Sequence, residues 1–439
     1  MSTAATSIAK APPADPSDQR DRALVIAAVA VALLARVVAM FVLGAWHLNL
    51  ADKYGNFTFG YEAGSVAYSL VSGHGFGSPF LEHLTGPTAW LAPVYPTLLA
   101  GIFLVFGAFT PAAAIAAFTM NSVFSALICF PICYAGKRTM GRGVALWAVW
   151  IWALCPLFWR WAITWIWEMD LSALLFACAF CFALRLRAGA ERKHWIAFGA
   201  FWGLCALSNP SLLTFSMISA LWAAWPQLRS LRGWLRTAVL AGIVALVTIS
   251  PWLVRNRMAL GHWSFIRDDF GFELSLGNYH GSNARAWSGM FPAENPRIMR
   301  QYISQGEASF VARHGALARQ FIRQYPREFG QLCLQRVLLF WNGYVTLNTD
   351  VNIPWWRPWM FWQLSALALL GAVFALSRRV PAAWMYALAI FVYPIPYYLT
   401  YPQLRYRHPI EPLMLLLGVY LLQQLWFELR PRRTPRSTG

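Results

Sequence analysis

The sequence predicts an all-α polytopic membrane protein of about ten transmembrane helices, with interfacial helices and a small, mainly helical segment outside the bilayer. Three observations predict it. Hydrophobic residues make up 58% of the 439-residue chain and charged residues only 12%; the mean hydropathy is +0.45; and apolar runs of bilayer length alternate with short basic clusters. Soluble domains keep about a quarter of their residues charged, so lipid is the solvent for most of this chain. The net charge of +18 does not point to nucleic acid, because the bases fall between apolar runs rather than along one face.

The elements follow in order. Residues 1-22, rich in Ala, Pro, Ser and Asp, read as a disordered cytoplasmic tail, and the apolar run behind them is too long for a cleaved signal peptide. Candidate spans lie at 23-46, 112-135, 144-160, 169-186, 194-209, 211-226, 236-254, 358-376, 382-400 and 409-427. Charge sets their orientation. Lys137, Arg138 and Arg142 stand in one loop, Arg185, Arg187, Arg192 and Lys193 in another, and Arg229, Arg232 and Arg236 in a third. By the positive-inside rule these are cytoplasmic, as are Arg378, Arg379 and the basic tail 429-439. Loop 47-88, with Asp52, Glu62 and Glu82 against Lys53, is then outside, and both termini are cytoplasmic. This parity requires that segment 89-109, broken by Pro93 and Pro96, and segment 328-345 do not cross. The chain divides into the bundle 23-254 with outer loop 47-111, an outer soluble and interfacial segment 255-357, and the C-terminal spans 358-428.

Six of the seven cysteines fall inside expected spans, so no disulfide framework is implied, and Cys178-x-x-Cys181 reads as packing. Asn56-Phe57-Thr58 matches a glycosylation sequon, a short pattern that chance supplies often. Most of the 24 Trp suit an interfacial belt; Trp90, beside the Pro-rich turn, is the candidate platform for a sugar ring.

Ionisable groups are expensive to keep near a bilayer, so the few outer-side carboxylates form a short candidate set: Glu62, Glu82, Glu168, Asp170, Asp268, Asp269 and Glu273. Glu62 leads, as a carboxylate expected to be ionised at neutral pH and able to take a proton from an acceptor hydroxyl. Its competing explanation is an acid answering a helix macrodipole. Glu168 and Asp170 are candidates to position an acceptor or a divalent cation, with helix capping as the alternative for Asp170. Arg405 and Arg407 break the charge rule by lying outside, and Arg255 and Arg257 leave the seventh span at the same level. A phosphate at the boundary explains Arg255, Arg405 and Arg407; snorkelling to headgroups is the alternative. Arg36, midway along the first span, needs an intramembrane partner such as a buried carbonyl.

Five stretches carry a resemblance. They are Tyr61-Glu62 with Gly73-His74-Gly75-Phe76; Gly86-Pro87-Thr88-Ala89-Trp90 with Pro93-Val94-Tyr95-Pro96; Leu207-Ser208-Asn209-Pro210; Pro251-Trp252 with Arg255-Asn256 and Leu276-Gly277-Asn278; and Arg405-Tyr406-Arg407-His408-Pro409-Ile410-Glu411-Pro412. In this order the chain resembles the C-type (GT-C) superfamily of membrane glycosyltransferases, which includes the protein O-mannosyltransferases and the lipid A aminoarabinose transferase. The resemblance implies a polyprenyl-phosphate-linked sugar donor, an outer-side acceptor that is lipid, glycan or protein, inversion at the anomeric carbon, and a bacterial inner membrane with a periplasmic site. It places the catalytic acid at Glu62, where the family usually has Asp, often beside a second acid. It also suggests donor or sugar contacts at Tyr61, His74, Trp90, Tyr95, Asn256, Asn278, Tyr406 and His408. No cofactor is implied beyond the candidate divalent cation. An O-antigen ligase or polymerase, a transporter and a non-catalytic scaffold are the competing readings.

Overall fold

A computed structural model describes residues 16–47, 59–80, 83–189, 191–227, 230–343 and 356–429. The sequon at 56-58 and Glu82 lie outside these residues. The described elements are helical, with one isolated antiparallel bridge between Gly77 and Pro87. Six helices are long and apolar enough to cross a membrane, and a seventh span results if Arg142–Leu154 and Pro156–Thr164, bent by 43°, are counted as one. The expected span at 144-160 is broken because Pro156 opens a new helix while Cys155 is extended. The segments expected at 211-226 and 382-400 form shorter apolar pieces, Pro210–Ala224 and Ala383–Leu399. Among the described residues, length and composition alone pick out six or seven spans, with the shorter apolar pieces beside them.

The first helix, α1 (Pro16–Val42), starts inside the expected disordered tail. Asp21 is buried there and bridges Lys137 at 2.6 Å and Arg142 at 2.7 Å, so the ordering of the last tail residues has a charge-pairing cause. At this basic end the α1 N-terminus meets the turn between Cys129–Thr139 and Arg142–Leu154. Arg36 is fully buried and donates to the carbonyls of Ala32 at 2.9 Å, Ala153 at 3.2 Å and Trp152 at 3.2 Å, the kind of partner its depth demands.

At the other end lie α2 (Glu62–Val71) and α3 (Val94–Phe106). With 13 residues, α3 is about 20 Å long, short of the roughly 30 Å hydrocarbon core. The expectation that this segment does not cross agrees with its length. Helices α4 (Met169–Arg187), α5 (Arg192–Ser208) and α6 (Ala238–Leu260) follow. Gly199 and Gly203 let α5 and α6 approach closely: a Cβ at Gly199 would stand 2.3 Å from the Ala241 carbonyl oxygen.

Beyond α6 the chain leaves the bundle as a helical segment. Its apolar faces are buried, through Met299 and Tyr302 of α7 (Pro296–Gln305) and Phe310, Val311 and Phe321 of α8 (Glu307–Gln324). One carboxylate fastens this segment to the loop behind α2. Glu307 accepts from the Ala89 amide at 2.8 Å, the Tyr302 hydroxyl at 2.8 Å and the Thr88 hydroxyl. After α9 (Pro326–Asn342) the chain returns through α10 (Trp356–Ser377) and a 3-10 turn, Leu404–Ile410, into α11 (Glu411–Leu429).

Candidate functional site

The loop before α2 has an unusual backbone. Phe59, Gly60 and Tyr61 have φ of 52°, 77° and 57°, a left-handed run that non-glycine residues rarely adopt. Gly60 is required at its centre, because a Cβ there would meet the Ile166 carbonyl at 2.4 Å and the Trp167 ring at 2.9 Å. This close approach seats the start of α2 on the 166–167 backbone. Glu62, in the first turn of α2, and Glu168, which precedes α4, both feel the charges of Arg267 and Arg405. Strain of this kind concentrates at functional sites.

Between these segments is a narrow cleft of about 10 Å³ lined by Ala63, Leu91, Ala92, Tyr95, Pro96, Trp167, Glu168, Ser208, Asn209 and Arg267. Glu62 is 6% exposed beside it. Burial raises the Glu62 carboxyl from its ordinary 4.5 to about 7, against the pull of Arg405 and Arg267; Asp269 adds to the rise. Burial thus works against the full ionisation at neutral pH expected above. Burial raises Glu168 as well, again opposed by Arg267 and Arg405. Glu273, which accepts from the Tyr401 hydroxyl, is pushed up to about 7 by burial and by Asp269.

Two guanidinium groups balance these acids. Arg267 donates to the Trp90 carbonyl at 3.0 Å and pairs with Asp269. Burial opposes its charge, but Asp269, Glu273 and Glu168 outweigh that and hold its pKa above the ordinary value. Arg405 lies over the rings of Trp165 at 4.7 Å, Trp167 at 4.4 Å and Tyr406 at 5.4 Å. The structure thus gathers Glu62, Glu168, Asp269, Glu273, Arg267 and Arg405 into one electrostatic cluster. Arg267 was missed in the sequence, where an Arg beside two Asp reads as a surface ion pair.

Other expected site residues are elsewhere or otherwise engaged. Arg407 is fully buried, donating to Glu411 at 2.9 Å and 3.0 Å, to the Phe361 carbonyl at 2.9 Å and to Ser365 at 2.7 Å. In a turn of about three residues per revolution, positions two apart diverge by about 240°, so Arg405 and Arg407 cannot share a face. Arg407 is therefore no phosphate ligand. His408 and Asp170 are buried together, 3.3 Å apart. Arg255 braces the loop behind α2 by donating to the Thr88 carbonyl at 2.6 Å and the Phe76 carbonyl, and Arg257 is exposed with a bond to the Gly261 carbonyl. Asn256 donates to the Phe265 carbonyl at 2.9 Å, and Asn278 to the Leu399 carbonyl at 2.9 Å while accepting from Arg336.

Trp90 is 1% exposed, enclosed edge-to-face by Phe80 and Tyr302 and packed on Phe272, so it offers no sugar platform. His74 is exposed past the far end of α2, about 15 Å along the helix from Glu62. Tyr61 is buried. Tyr95 lines the cleft and donates to Asn121 at 3.0 Å; Tyr406 stacks on Tyr397 at 4.4 Å. Asp268 accepts from His262 at 2.9 Å, in the tautomer that protonates the facing nitrogen. Among the described residues no group of three or more His, Cys, Asp and Glu could hold a metal ion.

The described helical bundle is similar in fold to solved structures of membrane-bound sugar transferases. The oligosaccharyltransferase AglB from Archaeoglobus fulgidus, in complex with an inhibitory peptide and a dolichol-phosphate, aligns at a TM-score of 0.54 and 14% identity over 94% of this chain and 51% of its own. The same enzyme tethered to an acceptor peptide gives 0.50 and 14% over 93% and 50%. ArnT from Cupriavidus metallidurans in the apo state gives 0.37 and 15% over 95% and 82%. The chain spans about half the length of AglB, and at these identities the likeness is one of fold. No family model and no curated protein sequence matches the chain.

Proposed function

We propose that this protein is an integral-membrane glycosyltransferase that moves a sugar from a polyprenyl-phosphate carrier to an acceptor hydroxyl, with inversion. The observation that carries the reading is Glu62, a buried carboxyl raised to about 7 next to the narrow cleft that its neighbour Ala63 lines, with the charges of Arg405 and Arg267 acting on it. A general base works best with a pKa near the working pH. Glu62 takes the acceptor proton as the hydroxyl oxygen attacks the anomeric carbon. The carbon–oxygen bond to the carrier breaks, and its electron pair leaves on the phosphate, where Arg405 stabilises the added charge. Glu168 and Arg267, in the cleft wall, position the acceptor and sugar. The dolichol-phosphate in the AglB complex supports the choice of carrier class. No step is routed through a metal.

The site face is proposed to be the outer one. Asp21 joins the basic loop at the opposite end of the bundle, consistent with cytoplasmic termini. In this reading α5, Pro210–Ala224 and Ala383–Leu399 complete a ten-span bundle. The polar cluster sits at one end rather than deep in several spans, which does not favour a transporter. The test is incubation of purified protein with polyprenyl-phosphate sugars and chromatography of the lipid. Donor consumption that needs Glu62 supports the proposal; no consumption of any polyprenyl-phosphate sugar with a panel of lipid, glycan and peptide acceptors refutes it.

A further inference from the structure

We infer that His408 is a positioning residue: clamped between Asp170 and Glu411, it fixes the turn that presents Arg405 to the cleft. The inference rests on the reading of Arg405 as the phosphate-binding group. His408 is fully buried, with Nδ1 2.8 Å from Glu411 Oε2 and Nε2 3.3 Å from Asp170 Oδ1. Its ring stacks on Trp152 at 5.6 Å. An imidazole bonds two carboxyl groups only by donating from both nitrogens, or by accepting from one carboxyl that keeps its proton.

The clamp holds both walls of the site. In the 3-10 turn Leu404–Ile410, residues three apart eclipse, so His408 sits beneath Arg405, about 6 Å along the axis. Asp170 is two residues beyond Glu168, in the segment whose Trp165 and Trp167 rings cover Arg405. Glu411, the third anchor, is shared with Arg407, which is tied to α10 through the Phe361 carbonyl and Ser365. Arg405 itself has a buried Nε with no hydrogen-bond partner. The aromatic faces and a bond with the side chain of Tyr406, the next residue of the same turn, hold it relative to that turn. Its aim therefore depends on the backbone beneath it, and that backbone is pinned at His408.

The test uses the full chain in lipid nanodiscs with a short-chain polyprenyl phosphate as probe. The variants are Arg405→Ala, His408→Gln and, as a structural control at the opposite end, Tyr386→Phe, which loses its bond with Thr139. His408→Gln is expected to weaken probe binding by about tenfold, the loss of one charge-assisted contact. It should also speed amide exchange across 404–410 and lower kcat at saturating donor, because a misaimed Arg405 stabilises the leaving phosphate less. Tyr386→Phe should change none of these. Arg405→Ala weakening the probe while His408→Gln leaves both binding and exchange unchanged overturns the clamp and keeps the phosphate reading. Should Arg405→Ala leave binding unchanged, the phosphate reading fails, and exchange across 404–410 alone decides the clamp: faster in His408→Gln supports it, unchanged overturns it. Asp170→Asn, which keeps the His408–Glu411 bond, replaces His408→Gln if that variant does not fold.

Discussion

Replacing Glu62 by Gln separates catalysis from stability, because the two effects have opposite signs. Raising a carboxyl from 4.5 to about 7 on folding means the fold prefers its protonated form. At 1.36 kcal/mol per pH unit, ionising it in place costs about 3 kcal/mol. The wild type should therefore lose stability as pH rises from about 4.5 to about 7 and remain that much weaker above. Glu62→Gln keeps the shape and never ionises. At pH 8 it should be more stable than wild type by up to about 3 kcal/mol, with the advantage gone at pH 4. Transfer should nevertheless fall by roughly a hundredfold to ten-thousandfold. In the wild type, kcat/KM should drop tenfold per pH unit below about 7 and level off above. The assays are thermal unfolding in nanodiscs at both pH values and single-turnover sugar transfer. An acid that merely answers a helix dipole would contribute about 0.3 to 1 kcal/mol, so its loss would weaken the protein. A Gln variant that is less stable at pH 8, or that keeps more than about a tenth of the transfer rate, refutes the reasoning.

Arg255→Ala should lower thermal stability, because two loop carbonyls lose a charged donor, while leaving polyprenyl-phosphate affinity within about twofold; a tenfold loss of affinity would return Arg255 to the phosphate site. Glu307→Ala removes the common acceptor of Thr88, Ala89 and Tyr302 and should cost about 3 to 5 kcal/mol in unfolding experiments; a loss under about 1 kcal/mol would show that the loop does not depend on it. In a background without reactive native cysteines, cysteine at Ser282 should react with an impermeant thiol reagent in intact cells and cysteine at Lys137, Arg232 or Arg379 should not. The reverse pattern would invert the proposed topology.

What could be read from sequence was governed by periodicity and charge. The apolar runs announced a membrane bundle, and charge parity alone required the segment at 89-109 not to cross, which α3 matches in length. Glu62, Glu168 and Arg405 stood out because charge near lipid is costly. What could not be read was direction. Arg405 and Arg407 look equivalent until the turn is known to be 3-10, when one meets the Trp165 and Trp167 rings and the other Phe361 and Ser365. Trp90 looked like an exposed platform because nothing local reveals that Tyr302 and Phe272, from the distant helical segment, enclose it. Arg267 was hidden for the same reason: its acidic partners Glu168 and Glu273 are far apart in sequence.

The balance of charge in the cluster gives the proposed reaction a direction. Four carboxyl groups, Glu62, Glu168, Asp269 and Glu273, share space with two guanidinium groups, Arg267 and Arg405. With Glu62 and Glu273 each near about 7, the cluster can shed excess negative charge by holding protons rather than by recruiting cations. A donor phosphodiester brings one negative charge to Arg405, and the phosphomonoester left after transfer brings close to two. Each step weakens the pull of Arg405 on Glu62, so the carboxyl becomes more basic as the leaving group departs. The proton taken from the acceptor is then held more firmly after the bond breaks than before it. Departure of the carrier restores Arg405 to Glu62 and releases the proton. On this argument the raised Glu62 is coupled to the leaving phosphate through a single arginine, and Arg405→Ala should shift the ascending limb of the pH profile upward as well as weaken donor binding.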